Sequence, residues 1–364
     1  MKILVIQVHM IGDVLSSTCI LHALRDHLPA AQLHYLIAPH TQPVVAGSPY
    51  VDQVILAKKN ELKIANTALS RRLQAENYDL VIDAYSKWGS AFHTKRSGAG
   101  LRIGKHKWYL QWAYTQSVHY EKTPLTEAGL AIENRLQLAQ AAVKSTGKLD
   151  NWNWEQVVQR YKPKVNLTTA EAQAGLEFLS THGYDLEAPI VMVSILGSSA
   201  DKTYPINQMA QVLDTYAASH SDTQFILNYA PNQKSEAKAA YDLLAPATQA
   251  QTNWDAYPGS LREFLTVLAH CNACIGNEGG DINMAKAMNV PTFAIFSPWI
   301  PHAGWASYEQ TGLNASVHLQ QLHPEIYQDQ EEKTLQAKAT ELYKKLEASV
   351  VSRELEKFVG RMEG

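Results

Sequence analysis

The strongest constraint on the fold is a regular alternation of short apolar runs with longer helical stretches. The apolar runs are rich in Val, Ile and Leu and carry few polar interruptions. Near-continuous apolar strands separated by helices are typical of parallel sheets that are covered on both faces. The predicted strands are 2–8, 33–38, 53–57, 79–84, 190–196, 224–229, 273–277 and 292–297.

This pattern occurs twice and weakens between about 145 and 168, which predicts two doubly wound α/β domains. A chain of 364 residues with 46% hydrophobic content can bury two cores. We place one Rossmann-like domain at 1–165 and a second at 166–325. A charged helical tail at 326–364 is expected to pack across both domains. Open α/β sheets bind ligands beyond the carboxyl ends of their strands, so the predicted site is the cleft between the domains.

Composition excludes several classes of protein. The net charge of −3 argues against a nucleic-acid-binding protein. The sequence contains no run of about 18 apolar residues, so it predicts no membrane span. The polar Gln7 and His9 interrupt the first apolar run too early for a signal peptide. Three cysteines in a chain of this length favour a reducing, cytoplasmic compartment. We interpret "CNAC" at 271–274 as structural, because no second thiol pair or suitably spaced histidine accompanies it.

The turn after the first strand, "QVHMIGDVLSST" at 7–18, carries a possible catalytic carboxylate. Gly12 allows close approach of a ligand to the backbone, and a hydroxyl at 16–18 is expected to cap a helix predicted over 16–28. The chain lacks the glycine fingerprints of dinucleotide-binding and P-loop proteins, which disfavours a dehydrogenase. Asp13 either interacts with the helix dipole or acts as a general base, and the turn alone does not decide between these roles.

Two further turns could bind a diphosphate. In "LGSSADKTYP" at 196–205, the hydroxyls and amides together with Lys202 could contact phosphate, although an ordinary polar loop has the same composition. In "GNEGGDINMAKAM" at 276–288, two glycines precede a predicted helix and could expose amides to a pyrophosphate. Glu278 and Asp281 suit a sugar hydroxyl better than a phosphate. The alternative is a glycine-rich turn that Asp281 caps.

A region without acidic residues lies between Asp83 and Glu121. Such a region favours a polyanionic partner or an anionic membrane surface, although a solvated face over core aromatics is the simpler alternative. Its cations are Lys87, Lys95, Arg96, Arg102, Lys105 and Lys107, and its interleaved aromatic residues are Trp88, Phe92, Trp108, Tyr109 and Trp112.

These segments in this order resemble the ADP-heptose:lipopolysaccharide heptosyltransferase family of glycosyltransferases (glycosyltransferase family 9), which has the two-domain GT-B architecture with an interdomain cleft. Residues 1–39 resemble that family's opening strand, I-G-D turn, first helix and second strand. Residues 78–104 are similar to a segment that ends in R-x-G, and 197–205 to a loop that ends in K-x-[WY]-P. Residues 274–298 resemble its G-N-D-[ST]-G-x-x-H-x-A-x-A motif with the following V-P-T and strand.

The resemblance, which covers roughly residues 1–300, implies a function for each segment. It implies that Asp13 is the general base for an acceptor hydroxyl, that the N-terminal domain binds the acceptor, and that the C-terminal domain binds a nucleotide sugar such as ADP-heptose. The expected donor and phosphate contacts are Gly12, Ser198, Ser199, Lys202, Asn277, Glu278, Gly279, Gly280 and Asn283. The expected acceptor contacts are Lys87, Lys95, Arg96, Arg102 and Lys105.

Three positions depart from the family motif and leave the identity of the sugar open. Glu278 replaces Asp, Gly279 replaces Ser or Thr, and Asn283 replaces His.

The predicted reaction is inverting transfer of a heptose-like sugar to a lipopolysaccharide core or lipid A-type acceptor, with no cofactor. No D-x-D occurs in the chain, so we expect no metal. The enzyme is expected in the cytoplasm, peripherally on the inner membrane. A nucleotide-sugar epimerase and a non-catalytic glycolipid-binding protein are the alternatives.

Overall fold

The computed structural model describes residues 1–58, 60–64, 66–149 and 151–363. The chain divides into two compact units, Met1–Asn166 and Leu167–Gly364. Each unit contains one sheet in which all neighbouring strands pair in parallel. The predicted fold class of two parallel-sheet α/β domains is therefore confirmed.

The first unit has a six-stranded sheet in the order β3-β2-β1-β4-β5-β6. Its strands β1 to β6 are Lys2–Ile6, Gln32–Ile37, Gln53–Leu56, Leu80–Asp83, Leu101–Lys105 and Gln116–Val118. Its α-helices α1 to α5 are Ile11–His27, Thr67–Ala75, Trp88–Arg96, Leu130–Ser145 and Trp154–Arg160. The described residues of this unit also form 3₁₀ helices at Pro39–Val44 and Trp108–Ala113.

The second unit has a five-stranded sheet in the order β11-β10-β9-β7-β8. Its strands β7 to β11 are Ile190–Ser194, Gln224–Asn228, Ala273–Asn277, Thr292–Ile295 and Asn314–Val317. Its α-helices α6 to α16 are Thr169–Thr181, Ile206–Ser219, Lys234–Asp242, Pro246–Ala250, Leu261–Leu268, Gly280–Ala287, His302–Trp305, Leu319–Leu322, Glu332–Ala337, Ala339–Tyr343 and Ala348–Glu363. Short 3₁₀ turns lie at Ala200–Lys202, Pro231–Gln233 and Pro324–Tyr327.

All eight predicted strands are present, and three more strands were not predicted. These are β5, β6 and β11, with the sequences LRIGK, QSV and NASV. β6 and β11 are short edge strands, and β5 carries an arginine, a glycine and a lysine. None of the three therefore shows the continuous apolar run that marks a strand buried on both faces.

The predicted tail contributes to the core of the second unit. α16 packs against α7 and against strands β10 and β11. Its apolar residues Val351, Leu355 and Phe358 are almost completely buried, as is Tyr343 in α15. Burial of this many large side chains makes the segment a part of the second unit's hydrophobic core.

Among the described residues, no helix has the length and hydropathy needed to cross a membrane.

The three cysteines are free and buried. Burial raises the pKa of Cys19 and of Cys271 to about 12, and it raises the pKa of Cys274 well above its usual value. A buried thiol that stays protonated is a packing group, since the thiolate is the reactive and metal-binding form. These positions agree with the structural interpretation of "CNAC".

A buried carboxylate lies at the carboxyl end of β4. Asp83 accepts hydrogen bonds from the Ser86 amide and the Tyr114 hydroxyl, each over 2.8 Å. Lys107 Nζ in turn donates to the Ser86 carbonyl oxygen over 2.6 Å. Burial raises the pKa of Asp83 to about 6, although these hydrogen bonds and the lysine charge oppose the shift. The network fixes the loops that follow β4 and β5.

A first prediction concerns Gly276 in β9, where φ is +121° and an added Cβ would lie 2.3 Å from the Ser194 carbonyl oxygen. Gly276→Ala is expected to lower the free energy of unfolding by about 3 kcal/mol, because backbone strain adds to a backbone clash. Urea denaturation measures the change. Gly360→Ala, at an exposed position in α16 with open space around it, is the matched control and should be neutral or slightly stabilising. Equal stability of both variants would contradict the predicted clash.

A second prediction follows from the raised pKa of Asp83. Between the unfolded value of 3.8 and about 6, the folded carboxyl retains a proton that the unfolded chain has lost. The free energy of unfolding therefore falls as pH rises through this window, by roughly 3 kcal/mol in total for this group. Asp83→Asn should lack this contribution, whereas Asp255→Asn, at an exposed position, should keep it. Denaturation at several pH values tests this, and identical pH profiles for Asp83→Asn and the unmodified chain would refute it.

Candidate active site

The first turn of α1 lies at the crevice where open parallel sheets bind ligands. β1 and β4 are neighbours in the sheet, while β2 lies on the other side of β1. Ligands of such sheets bind at the carboxyl ends of the strands where the order of connection reverses. Asp13 lies in this first turn, and its side chain is 21% exposed. The structure therefore places the predicted base at a position from which it can meet a ligand.

The predicted start of α1 was wrong. The helix begins at Ile11 rather than at 16, and Met10, its N-cap residue, provides no side-chain cap. The hydroxyls of Ser16, Ser17 and Thr18 are buried inside the helix and donate to carbonyl oxygens of the preceding turn, over 2.6 to 2.8 Å. Hydroxyl residues inside a helix commonly bond in this way to the carbonyl three or four residues earlier.

An arginine from a distant helix binds the Asp13 carboxylate. Arg135 Nη2, in α4, donates to Asp13 Oδ1 over 2.7 Å, and its Nε donates to Ser17 Oγ, also over 2.7 Å. The Arg135 side chain is only 11% exposed. The second carboxylate oxygen, Oδ2, lies 4.0 Å from His9 Nε2. One oxygen of Asp13 thus pairs with a largely buried cation, while the other lies near the exposed His9 imidazole.

Sequence reasoning missed Arg135. The signal that was present is an arginine within the helical pattern of α4, two residues after Glu133, which is also buried. A charged residue is rarely buried without a partner, so Arg135 required an acidic partner elsewhere in the unit. Nothing in the local sequence identifies that partner as Asp13.

The structure brings together only part of the predicted acceptor set. Lys87 is the N-cap residue of α3, and Lys105 ends β5, so both lie at the carboxyl edge of the sheet. Lys107 joins them as an unpredicted third member. Burial and the charge of Lys87 lower the pKa of Lys105, and burial with the charges of Lys87 and Lys105 lowers that of Lys107. These three residues form what we name the lysine cluster.

The remaining predicted acceptor residues lie apart from the lysine cluster. Lys95 and Arg96 occupy the last turn of α3, about 12 Å along the helix from Lys87. Arg102 lies near the start of β5, where its Nε donates to the Ala113 carbonyl oxygen over 3.0 Å. A second bond from Arg102 Nη1 reaches the Ala99 carbonyl oxygen. The contacts of Arg102 connect β5 to the adjoining loops.

In the second unit, the loop at 196–205 is fixed by several contacts. Gly197 is buried, and an added Cβ would lie 2.2 Å from the Lys202 carbonyl oxygen. Ser297 Oγ and Trp299 Nε1 both donate to the Asp201 carbonyl oxygen, over 2.6 and 3.1 Å. Lys202 Nζ lies 5.2 Å from the centre of the Trp299 ring. A cation over an aromatic face has a preferred position, so Lys202 is oriented rather than freely solvated.

The two exposed serines of this loop differ in their bonding. Ser199 Oγ donates to the carboxylate of Asp201, and this bond is the largest factor that lowers the pKa of Asp201. Ser198 is exposed next to it. Both serines remain at the carboxyl edge of the second sheet, where a ligand could reach them.

Asn277 connects this loop to the sheet. Its Nδ2 donates to the carbonyl oxygens of Ser194 and Ile195, each over 3.0 Å, while its Oδ1 accepts from the Tyr204 amide over 2.6 Å. The side chain is completely buried. Asn277 therefore aligns the two turns at the ends of β7 and β9 through backbone contacts, although sequence reasoning had assigned it to the donor.

The glycine turn before α11 leaves its amides accessible. Gly279 is the N-cap residue and has no side-chain cap, and an added Cβ there would meet no atom of the described residues within 4 Å. The partly buried Asn283 donates from Nδ2 to the Gly279 carbonyl oxygen over 2.7 Å, so its amide stabilises the turn. Gly280 begins the helix and Glu278 is half-buried before it. Uncapped amides at a helix N-terminus form an anion-binding site.

A further polar group beside α11 was not predicted as a unit. Asn228 Nδ2, at the carboxyl end of β8, donates to Asp281 Oδ2 over 2.8 Å. Burial raises the pKa of Asp281, and the charge of Asp281 adds to the effect of burial in raising the pKa of Tyr257. The Tyr257 ring stacks on Tyr229, with ring centres 4.5 Å apart. A polar residue near the end of the predicted strand 224–229, here Asn228, was the available signal.

No group of three or more His, Cys, Asp or Glu that could hold a metal ion occurs in the part of the chain that the structure describes. The candidate groups are instead the Asp13–Arg135 pair with the lysine cluster in the first unit and, in the second unit, Lys202 with the amides at the start of α11.

Comparisons with known proteins identify the family of the chain. The model of glycosyltransferase family 9 (heptosyltransferase) matches residues 66–335. Lipopolysaccharide heptosyltransferase 1 of Campylobacter coli is 19% identical over 298 residues, which are 81% of this chain and 84% of that protein. Lipopolysaccharide heptosyltransferase 3 of Escherichia coli is 25% identical over 132 residues, and the match spans only 35% of this chain and 38% of the relative.

Solved structures show the same fold at low sequence identity. A family 9 glycosyltransferase from Veillonella parvula superposes with a TM-score of 0.74 at 16% identity, over 100% of this chain and 97% of the other. The ADP-heptose lipopolysaccharide heptosyltransferase II of E. coli gives 0.68 at 18% identity, over 95% and 99% of the two chains. E. coli heptosyltransferase WaaC with ADP gives 0.66 at 18% identity, over 99% of each. Since the family model matches more than half of this chain, the chain belongs to glycosyltransferase family 9, the heptosyltransferase family of enzymes.

Proposed function

We propose that this enzyme transfers a heptose-like sugar from a nucleotide-sugar donor, ADP-heptose or a related compound, to the core or lipid A region of a lipopolysaccharide. The observation that carries the proposal is the Asp13–Arg135 pair in the first turn of α1. It provides a partly exposed carboxylate at the carboxyl edge of the first sheet, with one oxygen held by Arg135, and we assign the other oxygen to the acceptor. The similarity to lipopolysaccharide heptosyltransferases supports the choice of substrates.

Asp13 acts as the general base in this proposal. The Arg135 guanidinium holds Oδ1 in place, and Oδ2 receives the proton of the acceptor hydroxyl. A carboxylate is a weak base towards a free alcohol. The hydroxyl becomes strongly acidic, however, as its oxygen bonds to the sugar, and a positioned base then contributes roughly 10²–10⁴-fold to the rate.

The second unit binds the donor in this proposal. Lys202, oriented by Trp299, and the amides of Gly279 and Gly280 supply positive potential for the diphosphate. Ser198 and Ser199 offer hydroxyls from the same loop. Asn277 and Asn283 act on the donor through the turns whose geometry they stabilise.

The nucleoside and the sugar are assigned to neighbouring groups. We place the nucleoside beside Asn228, Asp281 and Tyr257, because a carboxylate and an amide suit ribose hydroxyls and a tyrosine ring suits a base. Glu278, at the opposite end of the turn, is assigned to sugar hydroxyls. Its longer side chain and the open space at Gly279 make these two positions the determinants of which sugar is accepted.

The reaction is a single displacement. The acceptor oxygen forms a bond to the anomeric carbon, the bond from that carbon to the diphosphate oxygen breaks, and its electron pair leaves with the nucleoside diphosphate. The acceptor proton passes to Asp13 Oδ2 and from there to solvent. A base acting on the face opposite the leaving group inverts the anomeric configuration. Lys202 and the helix amides stabilise the departing charge, and no D-x-D sequence is present to bind a bridging metal.

The acceptor is assigned to the first unit. A phosphorylated glycolipid carries negative charge, which the lysine cluster of Lys87, Lys105 and Lys107 can neutralise. Lys95 and Arg96, farther along α3, can contact more distant acidic groups of the same acceptor. Because such a lipid resides in a membrane, we propose that the enzyme works peripherally at the cytoplasmic face of the inner membrane.

Asp13→Asn should reduce the rate of sugar transfer by at least about a hundredfold, because the amide cannot accept the proton. Affinity for ADP, measured by calorimetry, should not change, since the donor groups lie in the second unit. Asp26→Asn, at the other end of α1 where Asp26 contacts Arg160 and Tyr161, is the matched control and should retain activity. Near-normal transfer by Asp13→Asn would remove this residue from the role of base.

Lys202→Ala should weaken ADP binding by about tenfold or more, since hydrogen bonds to charged groups contribute roughly 1.5–3 kcal/mol. Lys234→Ala, at an exposed position at the start of α8 in the same unit, controls for the general loss of one positive charge. An unchanged affinity of Lys202→Ala for ADP would show that Lys202 does not contact the diphosphate.

Treatment with EDTA should leave the transfer rate unchanged, because Lys202 and the amides at the start of α11 are proposed to stabilise the leaving group. The rate is measured with excess chelator and again after addition of Mg²⁺. Metal independence would be disproved by a rate that falls with EDTA and recovers with Mg²⁺.

A further inference from the structure

Three tryptophan side chains are exposed on adjoining elements of the first unit. Trp88 begins α3 and is 53% exposed, while Trp108 and Trp112 lie in the 3₁₀ helix that follows β5 and are 81% and 44% exposed. Large apolar side chains grouped in this way commonly mark an interaction site, whereas single exposed ones need no explanation. The proposed transfer chemistry does not use any of the three.

These rings pack on one another at the surface. The Trp88 ring lies 5.5 Å from the Tyr109 ring and 6.3 Å from the Trp112 ring, both in stacked orientations. Trp112 Nε1 donates to the Tyr109 carbonyl oxygen over 3.0 Å. Trp108 meets the Tyr109 ring edge-on, so most of its own surface projects outward. We name Trp88, Trp108, Tyr109 and Trp112 the aromatic surface.

The aromatic surface adjoins the lysine cluster. Lys87 precedes Trp88 in the chain, Lys107 precedes Trp108, and Lys105 ends the strand before the same 3₁₀ helix. The nearest carboxylate in sequence, Asp83, is completely buried beneath them and is tied to the Ser86 amide and the Tyr114 hydroxyl. No acidic residue lies between Asp83 and Glu121, so the segment that carries the aromatic surface and the lysine cluster has positive charge without a carboxylate of its own.

We propose that the aromatic surface inserts into the headgroup region of an anionic lipid bilayer, with the lysine cluster contacting lipid phosphates. Tryptophan and tyrosine concentrate at membrane interfaces, and lysines near an anionic membrane add electrostatic attraction. This proposal rests on the proposed function in one respect: membrane binding brings Asp13 to an acceptor that resides in the membrane. Membrane binding itself requires neither donor nor catalysis.

The geometry favours a membrane over stacking against a soluble glycan. A sugar ring needs the open face of an aromatic ring, but the Trp88 ring stacks with both the Tyr109 ring and the Trp112 ring. The most exposed ring, that of Trp108, projects outward beside a lysine, as expected of a group that enters a lipid interface.

The test measures binding to vesicles by cosedimentation and by the fluorescence of the tryptophans. Three vesicle preparations are used. The first is an equimolar mixture of phosphatidylcholine and phosphatidylglycerol, and the second is phosphatidylcholine alone. The third contains brominated acyl chains, which quench only those tryptophans that enter the bilayer. Trp108→Ser and Lys87→Gln test the surface. Leu243→Ser, at a position 49% exposed in the second unit, is the matched control.

We expect binding to the anionic vesicles that weakens as salt is added, with quenching by the brominated lipid. Trp108→Ser should weaken this binding about tenfold, which corresponds to 1.4 kcal/mol, without a change in melting temperature. Lys87→Gln should weaken binding and reduce its dependence on salt, while Leu243→Ser should bind as the unmodified protein does.

Three results would overturn the proposal. These are absence of binding to anionic vesicles, unchanged binding by Trp108→Ser, and an equal loss in the Leu243→Ser control. Tryptophan quenching by a delipidated oligosaccharide, lost in Trp88→Ser and accompanied by no vesicle binding, would instead identify a glycan-binding surface. Since none of these measurements involves sugar transfer, failure of the proposed catalytic function would not affect their interpretation.

Discussion

The parallel pairing of the strands is the constraint on which the rest of this structure depends. In a parallel sheet the carboxyl ends of all strands lie at the same edge. The turns that follow the strands therefore lie side by side at that edge, where ligands bind. Asp13 follows β1, and the lysine cluster lies at the ends of β4 and β5. In the second unit, Lys202 follows β7 and the glycine turn follows β9. Residues that are far apart in sequence become neighbours for this reason alone.

Two buried polar side chains convert this general arrangement into defined geometry. Arg135 connects α4 to the first turn of α1 through Asp13 and Ser17, and Asn277 connects three backbone segments of the second unit. A buried polar group must find its partners, so each of these side chains permits few alternative arrangements of the turns around it. The hydrogen bonds of these two residues fix the first turn of α1 and the turns after β7 and β9, which carry groups that we assign to substrates.

The sequence predicted those parts of the structure that are locally encoded. Buried strands and the turns after them were found because apolar runs and glycines are visible in any short window. β6 and β11 were missed because a short edge strand needs no apolar run. Arg135 was missed because its contact with Asp13 spans 122 positions. Asn277 was expected to contact a ligand because it lies at the end of a strand. Its bonds to the backbone of Ser194, Ile195 and Tyr204 could not be predicted, because those residues are more than 70 positions away in the sequence.

The burial of all three cysteines gives this protein a practical property. Protonated thiols inside a packed core react slowly with maleimides and similar reagents, because such reagents require an accessible thiolate. A cysteine introduced at an exposed position would therefore be labelled selectively without removal of the native ones. The native chain is already a suitable background for attaching a single fluorophore or spin label, from which movements of either unit during turnover could be followed.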